Sequence, residues 1–263
     1  MQFTKTISFF ISFLALKAFA ISLVPGPEWT ASNPGFQYSK QILVDHLNAT
    51  HYPGFLMASG LKRIVLHPGP LLQGNNLVGG YASDDTIDVV AITDVHLVDC
   101  SRYHEGETDF LNCQMASGLS AHNVTSFLLK FNHELFHVID RNLLTDRTPN
   151  DPINVQWRQL NPPGFAYLAH ALDAPTRTSS MDAFGNLRIY SPQFITEYSS
   201  HTIDEDKAET FALALLKSDE FFRVIAPANP VLAAKYRLIR EMLDRITHNN
   251  AAIIPLPLQG HDE

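Results

Sequence analysis

His133-Glu134-Leu135-Phe136-His137 is the stretch of this 263-residue chain that says most about its fold and chemistry. On a helix, His133 and His137 lie one turn apart on the same face, so their imidazole nitrogens can bind one tetrahedral metal ion. Glu134 lies on the same side and can accept a proton from a metal-bound water that attacks a carbonyl. Such ligands suit zinc better than magnesium or calcium, which prefer oxygen ligands only. The pattern therefore predicts a zinc site with Glu134 as general base.

The residues around this motif have the period of an amphipathic helix over 123–141. At ~100° per residue, apolar and polar side chains fall into two separate arcs. The apolar arc contains Val124, Phe127, Leu128, Phe131, Leu135, Val138 and Ile139. The polar arc contains Asn123, Ser126, Lys130, His133, Glu134, His137 and Arg141. The alternative interpretation, two histidines that only hydrogen-bond within a core, would place them in the apolar arc, whereas they face solvent or a cleft.

One ligand is missing from the motif, because a catalytic zinc site uses three protein ligands and leaves the fourth position for water. The nearby solution is a histidine six residues after His137 with a glycine between them. Asp140 and Leu143 occupy those positions, so the metzincin pattern fails. The third ligand must come from elsewhere in the chain.

Residues further along the chain are the candidates for this third ligand. Glu205 and Glu209 lie four residues apart on a predicted helix, so one could bind the metal while the other orients a ligand imidazole. Acidic residues at a helix start also stabilise the helix dipole with no metal involved. His201 is a further candidate, whereas Asp206 is turned by ~100° from Glu205. Tyr198 could donate its hydroxyl to an oxyanion.

The first 20 residues predict a signal peptide. Lys5 supplies a positive charge, residues 7–16 an apolar segment, and Ala18-Phe19-Ala20 a cleavage site between small residues. The apolar run is too short to span a bilayer, and no other stretch reaches ~18 consecutive apolar residues. We therefore expect a secreted, extracellular protein with no membrane attachment after cleavage.

Secretion gives the cysteines and two glycosylation motifs an interpretation. Cys100 and Cys113 are the only cysteines, and in an oxidising compartment such a pair most simply forms one disulfide. Zinc thiolates are the alternative, although the spacing matches no zinc finger or ribbon. Asn48 and Asn123 are predicted glycosylation acceptors, in Asn-Ala-Thr and Asn-Val-Thr.

The charge balance restricts the partners. The net charge is −8 and no basic cluster occurs, which argues against nucleic acid and anionic membranes. After signal removal about 240 residues remain, enough for one domain with a substantial core. We expect residues 21–263 to form a single domain and a monomer, with a cleft between about 36–144 and 145–250.

The hydrophobic pattern places strands first and helices later along the chain. Strands are predicted over 61–66, 76–81 and 86–92, the last two as an antiparallel hairpin. Helices are predicted over 37–48, 123–141, 204–218 and 229–247, with an irregular proline-rich segment over 145–195. This order predicts an α+β fold with a small N-terminal antiparallel or mixed sheet, a long active-site helix and a helical C-terminal part.

Short motifs between residues 131 and 211 together resemble the catalytic signature of gluzincin metallopeptidases. They are His133-Glu134-x-x-His137-x-x-Asp140, then Tyr198, then Glu205-x-x-Ala-Glu209. They are most similar to the lethal-factor-like group, which includes anthrax lethal factor and the clostridial proline-specific secreted endopeptidases. The run from Trp157 to Tyr167 is also similar to secreted bacterial and fungal zinc peptidases.

This resemblance implies a zincin-like domain with one zinc ion and assigns a role to each residue of the motifs. The metal ligands would be His133, His137 and Glu205. Glu134 would be the general base, and Tyr198 would donate to the oxyanion. Glu209 and Asp140 would lie behind the ligands and support them. In that family the strand before the metal helix pairs with the substrate backbone, which makes residues 86–92 the candidate here.

The expected function is that of a secreted zinc-dependent endopeptidase, which hydrolyses a protein or peptide substrate through a zinc-activated water. The alternative is a secreted zinc-binding effector or pseudoprotease that acts by binding a partner protein. The intact Glu134 argues against this alternative, because a binding module needs no base. A structural or adhesive wall protein would need repeats or a Ser/Thr-rich stalk, and the sequence has neither.

Overall fold

A small mixed sheet forms the N-terminal part of the molecule. The computed structural model describes residues 21–49, 56, 59–69, 71–73, 76–92, 108–143, 148, 150–168, 189–217 and 220–249. The strands of this sheet are β1 (Ser22–Pro25), β2 (Arg63–His67), β5 (Gly80–Ala82) and β6 (Thr86–Val90). Their order in the sheet is β1-β2-β6-β5, in which β1, β2 and β6 run parallel and β5 runs antiparallel to β6. A separate antiparallel pair consists of β3 (Leu71–Gln73) and β4 (Asn76–Val78).

Six α-helices lie in the described part of the chain. They are α1 (Pro34–Ala49), α2 (Thr108–Leu143), α3 (Pro152–Gln159), α4 (Ile203–Leu216), α5 (Ala226–Ala228) and α6 (Pro230–Asn249). A 3-10 turn (Tyr198–Ser200) precedes α4, and a π-helical turn (Phe221–Ile225) runs into the single turn of α5. This arrangement confirms the α+β class.

Polar side chains fix where four of these helices begin. Asn33, Asp151, Thr202 and Asn229 each accept backbone N–H groups of the first turn, at 2.8–3.2 Å. Proline follows directly in α1, α3 and α6, where its missing N–H is not needed and its fixed φ suits the first turn. Local sequence therefore sets these boundaries.

The core lies between the sheet and the helices. Ile64, Leu66, Ile87 and Val89 alternate along β2 and β6 and are fully buried on one face of the sheet. The apolar arc of α2 packs against this face, and α4 packs on the other side of α2. The long helix is thus covered on two sides, which also buries part of its polar stripe.

Several elements differ from expectation because they depend on distant contacts. The predicted β5–β6 hairpin is present, but residues 76–78 belong to the separate β3–β4 pair. β1 precedes every predicted strand and helix and pairs in parallel with β2, which no local pattern indicates. Helix α3 forms within the proline-rich segment, where Asp151 and Pro152 supply a cap and a first helical residue.

The predicted modifications lie mainly outside the described residues. Residues 1–20 and Cys100 are not described, and only the backbone of Cys113 is, as part of α2; the signal peptide and disulfide stay predictions. Asn48 and Asn123 both lie in helices, and the acceptor nitrogen Nδ2 of Asn48 is buried, which disfavours a glycan there in the folded chain. Among the described helices, none is long and apolar enough to cross a membrane.

Candidate active site

The two histidines of the motif reach one point from the same face of α2. Their Nε2 atoms lie 3.1 Å apart, and their rings meet edge to face with centroids 4.8 Å apart. His133 is buried and His137 nearly so. The one-turn spacing therefore brings two ring nitrogens together beneath the surface.

A carboxylate from α4 completes a group of three. Thr202 caps this helix by accepting the N–H of Glu205 at 3.2 Å, and the helix packs across α2. Glu205 Oε2 lies 2.8 Å from His133 Nε2 and 3.4 Å from His137 Nε2. Among the described residues, these three side chains form the group that could hold a metal ion.

The spacing and chemistry of this group fit zinc. A tetrahedral ion with bonds of about 2.0 Å holds its ligand atoms about 3.3 Å apart, and the three observed separations of 2.8, 3.1 and 3.4 Å are close to this value. Glu205 Oε2 is buried and lies against the two imidazole nitrogens. A buried carboxylate needs a positive charge beside it, which a protonated imidazole or a metal ion can supply. Two imidazoles and one carboxylate are a donor set that zinc favours.

The other candidates for the third ligand lie outside this group within the described structure. The ring of His201 packs edge-on against that of Tyr198, with centroids 5.2 Å apart. Glu209 lies behind the site, with its Oε1 2.9 Å from Nδ1 of His133. This contact directs Nε2 of that ring toward the metal position. Asp206 is fully buried and faces the core.

The electrostatics of the site favour positive charge between the ligands. Burial alone would lower the pKa of His133, but hydrogen bonds and charges of Glu205 and Glu209 raise it well above its ordinary value. Burial alone would raise the pKa of Glu205, but His133 and His137 hold it well below its ordinary value. The two carboxylates thus stabilise a cation here, whether a proton or a metal ion.

Glu134 is buried beside the ligands and is held closely by β5. A Cβ atom on Gly80 would lie 3.0 Å from both Cγ and Oε1 of Glu134, and 3.1 Å from the carbonyl oxygen of Asp88. Burial raises the pKa of the Glu134 carboxyl. The nearby His133 and His137 lower this pKa, and the carboxylates of Glu205 and Glu209 raise it. The net effect is a pKa above the ordinary value. A carboxylate of this kind accepts a proton more readily than an exposed one.

An open cleft of about 750 Å³ contains the three candidate ligands and Glu134. Its lining comes from β5, from the polar stripe of α2 and from residues between 158 and 168 and between 198 and 205. Tyr198 is one of these residues, and its ring centroid is 5.9 Å from that of His133. The cleft therefore brings together the three candidate ligands, Glu134 and Tyr198.

The expectation that residues 86–92 pair with a substrate is wrong. Strand β6 pairs with β2 on one side and with β5 on the other, so its backbone groups are already used. The edge strand that lines the cleft is β5. The hairpin turn places β5, rather than β6, beside Glu134.

The register of β5 shows which backbone groups face outward. The carbonyl of Gly79 accepts from the N–H of Val90, and the N–H of Ser83 donates to the carbonyl of Thr86, both in β6. The alternation of an antiparallel pair therefore turns the backbone groups of Gly80 and Ala82 away from β6. The carbonyl of Ala82 accepts from the guanidinium of Arg141 at 3.2 Å. This bond fixes β5 to α2 one turn beyond His137.

Asp140 lies on α2 below the ligands. It is buried, with its Oδ1 3.9 Å from Nζ of the equally buried Lys207 on α4. The pair links the two ligand-bearing helices. A supporting role for Asp140 at the metal site stays a prediction.

Several residues of this region were not identified from the sequence. The strand predicted over 76–81 includes Gly80 without a special role, although a Gly-Gly pair in a strand signals close backbone approach. Lys235 occupies an apolar position of α6, between Leu232 and Ile239, and this misplaced charge was the available signal. Its partner, Asp206, could not be found without the fold.

No protein-family model and no curated protein matches the chain. A similar solved structure is that of a "putative zinc-binding metallo-peptidase" from Bacteroides caccae ATCC 43185, with 12% sequence identity and a TM-score of 0.45. The match covers 93% of this chain and 91% of that chain. A likeness of this degree does not extend to individual residues.

The proposed ligands can be tested through metal content. Glu205→Ala and His133→Ala should each strip zinc from the protein, because two remaining ligands bind the ion far more weakly. Glu209→Ala should retain the site and lower zinc affinity about 10–100-fold, since it only orients a ligand. Zinc content by elemental analysis and affinity by chelator competition measure these effects. Normal zinc binding by Glu205→Ala, with loss in His201→Ala, would contradict the assignment.

Proposed function

We propose that the chain is a secreted zinc-dependent endopeptidase of the gluzincin type. The observation that carries this proposal is the convergence of His133, His137 and Glu205 in an open cleft with Glu134 beside them. Secretion is proposed from residues 1–20, and the gluzincin subgroup from the Glu205-x-x-Ala-Glu209 motif. A single domain and a monomeric state remain parts of the same proposal.

The three ligands would hold zinc with one position open to the cleft. Zinc bound there would supply a Lewis acid that lowers the pKa of water and polarises a carbonyl group. Glu134 would accept one proton from the attacking water as the new C–O bond forms. It would then donate that proton to the amide nitrogen as the C–N bond breaks, which regenerates the carboxylate. Its raised pKa suits a group that must both accept and release a proton.

Tyr198 would stabilise the negative charge that develops on the carbonyl oxygen. Its ring lines the cleft next to His133. A hydroxyl donor directed at an oxyanion contributes more in a partly dry cleft than in water. The ring contact with His201 holds the side chain in place.

Strand β5 would bind the substrate backbone. The outward N–H and C=O groups of Gly80 lie at the edge of the sheet and border the cleft. An extended peptide can pair with such an edge through main-chain hydrogen bonds. Pairing at Gly80 would place the peptide directly over Glu134, as endopeptidase action requires.

The central test of the function is Glu134→Gln. The substitution should leave zinc content unchanged and lower kcat by about 10²–10⁴, because it removes the proton acceptor and keeps the side-chain size. Cleavage of a peptide library by purified protein, with and without a chelator, measures the activity. A wild-type protein that binds zinc but cleaves no peptide would favour the zinc-binding effector instead.

A second prediction concerns Tyr198. Tyr198→Phe should retain zinc and lower turnover by up to about 10²–10³, the effect of losing one oxyanion donor. The comparison of kcat with zinc affinity separates this effect from damage to the metal site. Unchanged kcat would remove Tyr198 from the proposed mechanism.

A third prediction uses the close approach of β5. Gly80→Ala should displace Glu134 or the strand by a few tenths of an ångström. A misplacement of about 1 Å can lower the rate about 10²-fold, so this smaller shift should lower kcat about tenfold. Gly69→Ala is the matched control, because a Cβ atom there meets nothing within 4 Å. Equal kcat values for the two variants would show that the contact with Glu134 has no role.

A further inference from the structure

One buried carboxylate oxygen holds three separate elements together directly behind the candidate site. Oδ2 of Asp206 accepts from Nε1 of Trp157 at 2.8 Å, from the hydroxyl of Tyr167 at 2.6 Å and from Nζ of Lys235 at 2.5 Å. Asp206 and Lys235 are both fully buried. The donors come from α3, from the cleft wall and from α6, so this oxygen is their common anchor.

The position of Asp206 relative to the ligand makes this anchor relevant to the metal site. It follows Glu205 directly in the first turn of α4, and a turn of ~100° per residue directs one side chain to the cleft and the next to the core. The first turn of a helix lacks intrahelical partners for its N–H groups and is its least fixed part. Contacts that hold Asp206 therefore also fix the position of Glu205.

The same anchor reaches the wall of the cleft. Tyr167 belongs to the segment Phe165–Leu168, which lines the cleft. The N–H of Leu168 donates to the carbonyl of His201 at 2.7 Å, close before α4. The wall is thus tied to the ligand-bearing segment twice, once through a side chain and once through the backbone.

Lys235 extends this arrangement beneath the wall. Its Nζ also donates to the carbonyl of Gln193 at 2.5 Å and lies 4.3 Å from the ring centroid of Phe194. That ring packs against Phe165, with centroids 4.9 Å apart. A buried ion pair seldom adds stability over an apolar pair of the same size. Its contribution here therefore lies in the positions of the groups that it holds.

We propose that Asp206, together with Lys235, is a positioning residue that holds Glu205 and the cleft wall Phe165–Leu168 in one frame. This inference rests on the proposed function, because it concerns the metal and substrate sites of the same cleft. In this proposal the ion pair of Asp206 and Lys235 supports metal affinity by holding Glu205. The hydrogen bond of the Tyr167 hydroxyl supports substrate binding by holding the cleft wall. Neither Asp206 nor Lys235 touches the reacting atoms.

The first arm of the test measures zinc affinity with the fold preserved. The double variant Asp206→Asn, Lys235→Met removes both charges and leaves no unpaired buried ion, so the metal-free protein should unfold near the wild-type Tm. Its zinc dissociation constant, from chelator competition, should rise about tenfold or more, in the range expected for residues behind a ligand. Wild-type zinc affinity in the folded double variant would overturn the positioning role.

The second arm tests the wall and leaves the ion pair intact. Tyr167→Phe should speed hydrogen exchange at the Leu168 amide and raise KM several-fold, with kcat and zinc affinity almost unchanged. Tyr236→Phe is the matched control, because its buried hydroxyl has no hydrogen-bond partner within the described structure. Equal exchange rates and KM values in the two variants would overturn the link to the wall.

These readouts keep the inference separate from the proposed function. Zinc affinity and amide exchange do not depend on peptide cleavage. A wild-type protein that cleaves nothing would end the peptidase proposal, and both measurements would still decide whether Asp206 positions the ligand and the wall.

Discussion

Burial of the polar stripe of α2 is the constraint on which the site depends. Helix α4 and strand β5 cover His133 and Glu134, so that each is less than one-tenth exposed. Buried polar groups must find partners, because loss of water is costly when nothing replaces it. Here α4 places the carboxylates of Glu205 and Glu209 against His133, and β5 places Gly80 against Glu134. The result is a set of buried acceptors that a cation can satisfy.

Helix α4 distributes its acidic first turn over three environments. Asp204 is exposed at the cleft, Glu205 faces the histidines and Asp206 enters the core. A run of acidic residues at a helix start is ordinarily explained by the helix dipole alone. In this chain the rotation of the helix gives Glu205 and Asp206 different partners, and Lys207 contacts Asp140 on α2.

The sequence predicted the features that local patterns determine. The period of α2 and the common face of Glu205 and Glu209 follow from a few neighbouring residues. Spacing alone left the choice between Glu205 and His201 open, and the packing of α4 across α2 brings Glu205 to the histidines. The parallel pairing of β1, the place of β5 at the sheet edge and the meeting of Asp206 with Lys235 depend on residues far apart in the chain. No local pattern contains that information.

The edge position of β5 has a consequence for the behaviour of the protein in concentrated solution. An open sheet edge is a template on which other chains can assemble into aggregates. This edge is only three residues long, one outward carbonyl is bound by Arg141, and the flanking Gly79-Gly80 pair has little tendency to extend a strand. The opening is long enough for a single peptide segment but too short and too interrupted to recruit a second sheet. The protein can therefore keep an accessible strand edge without seeding its own precipitation.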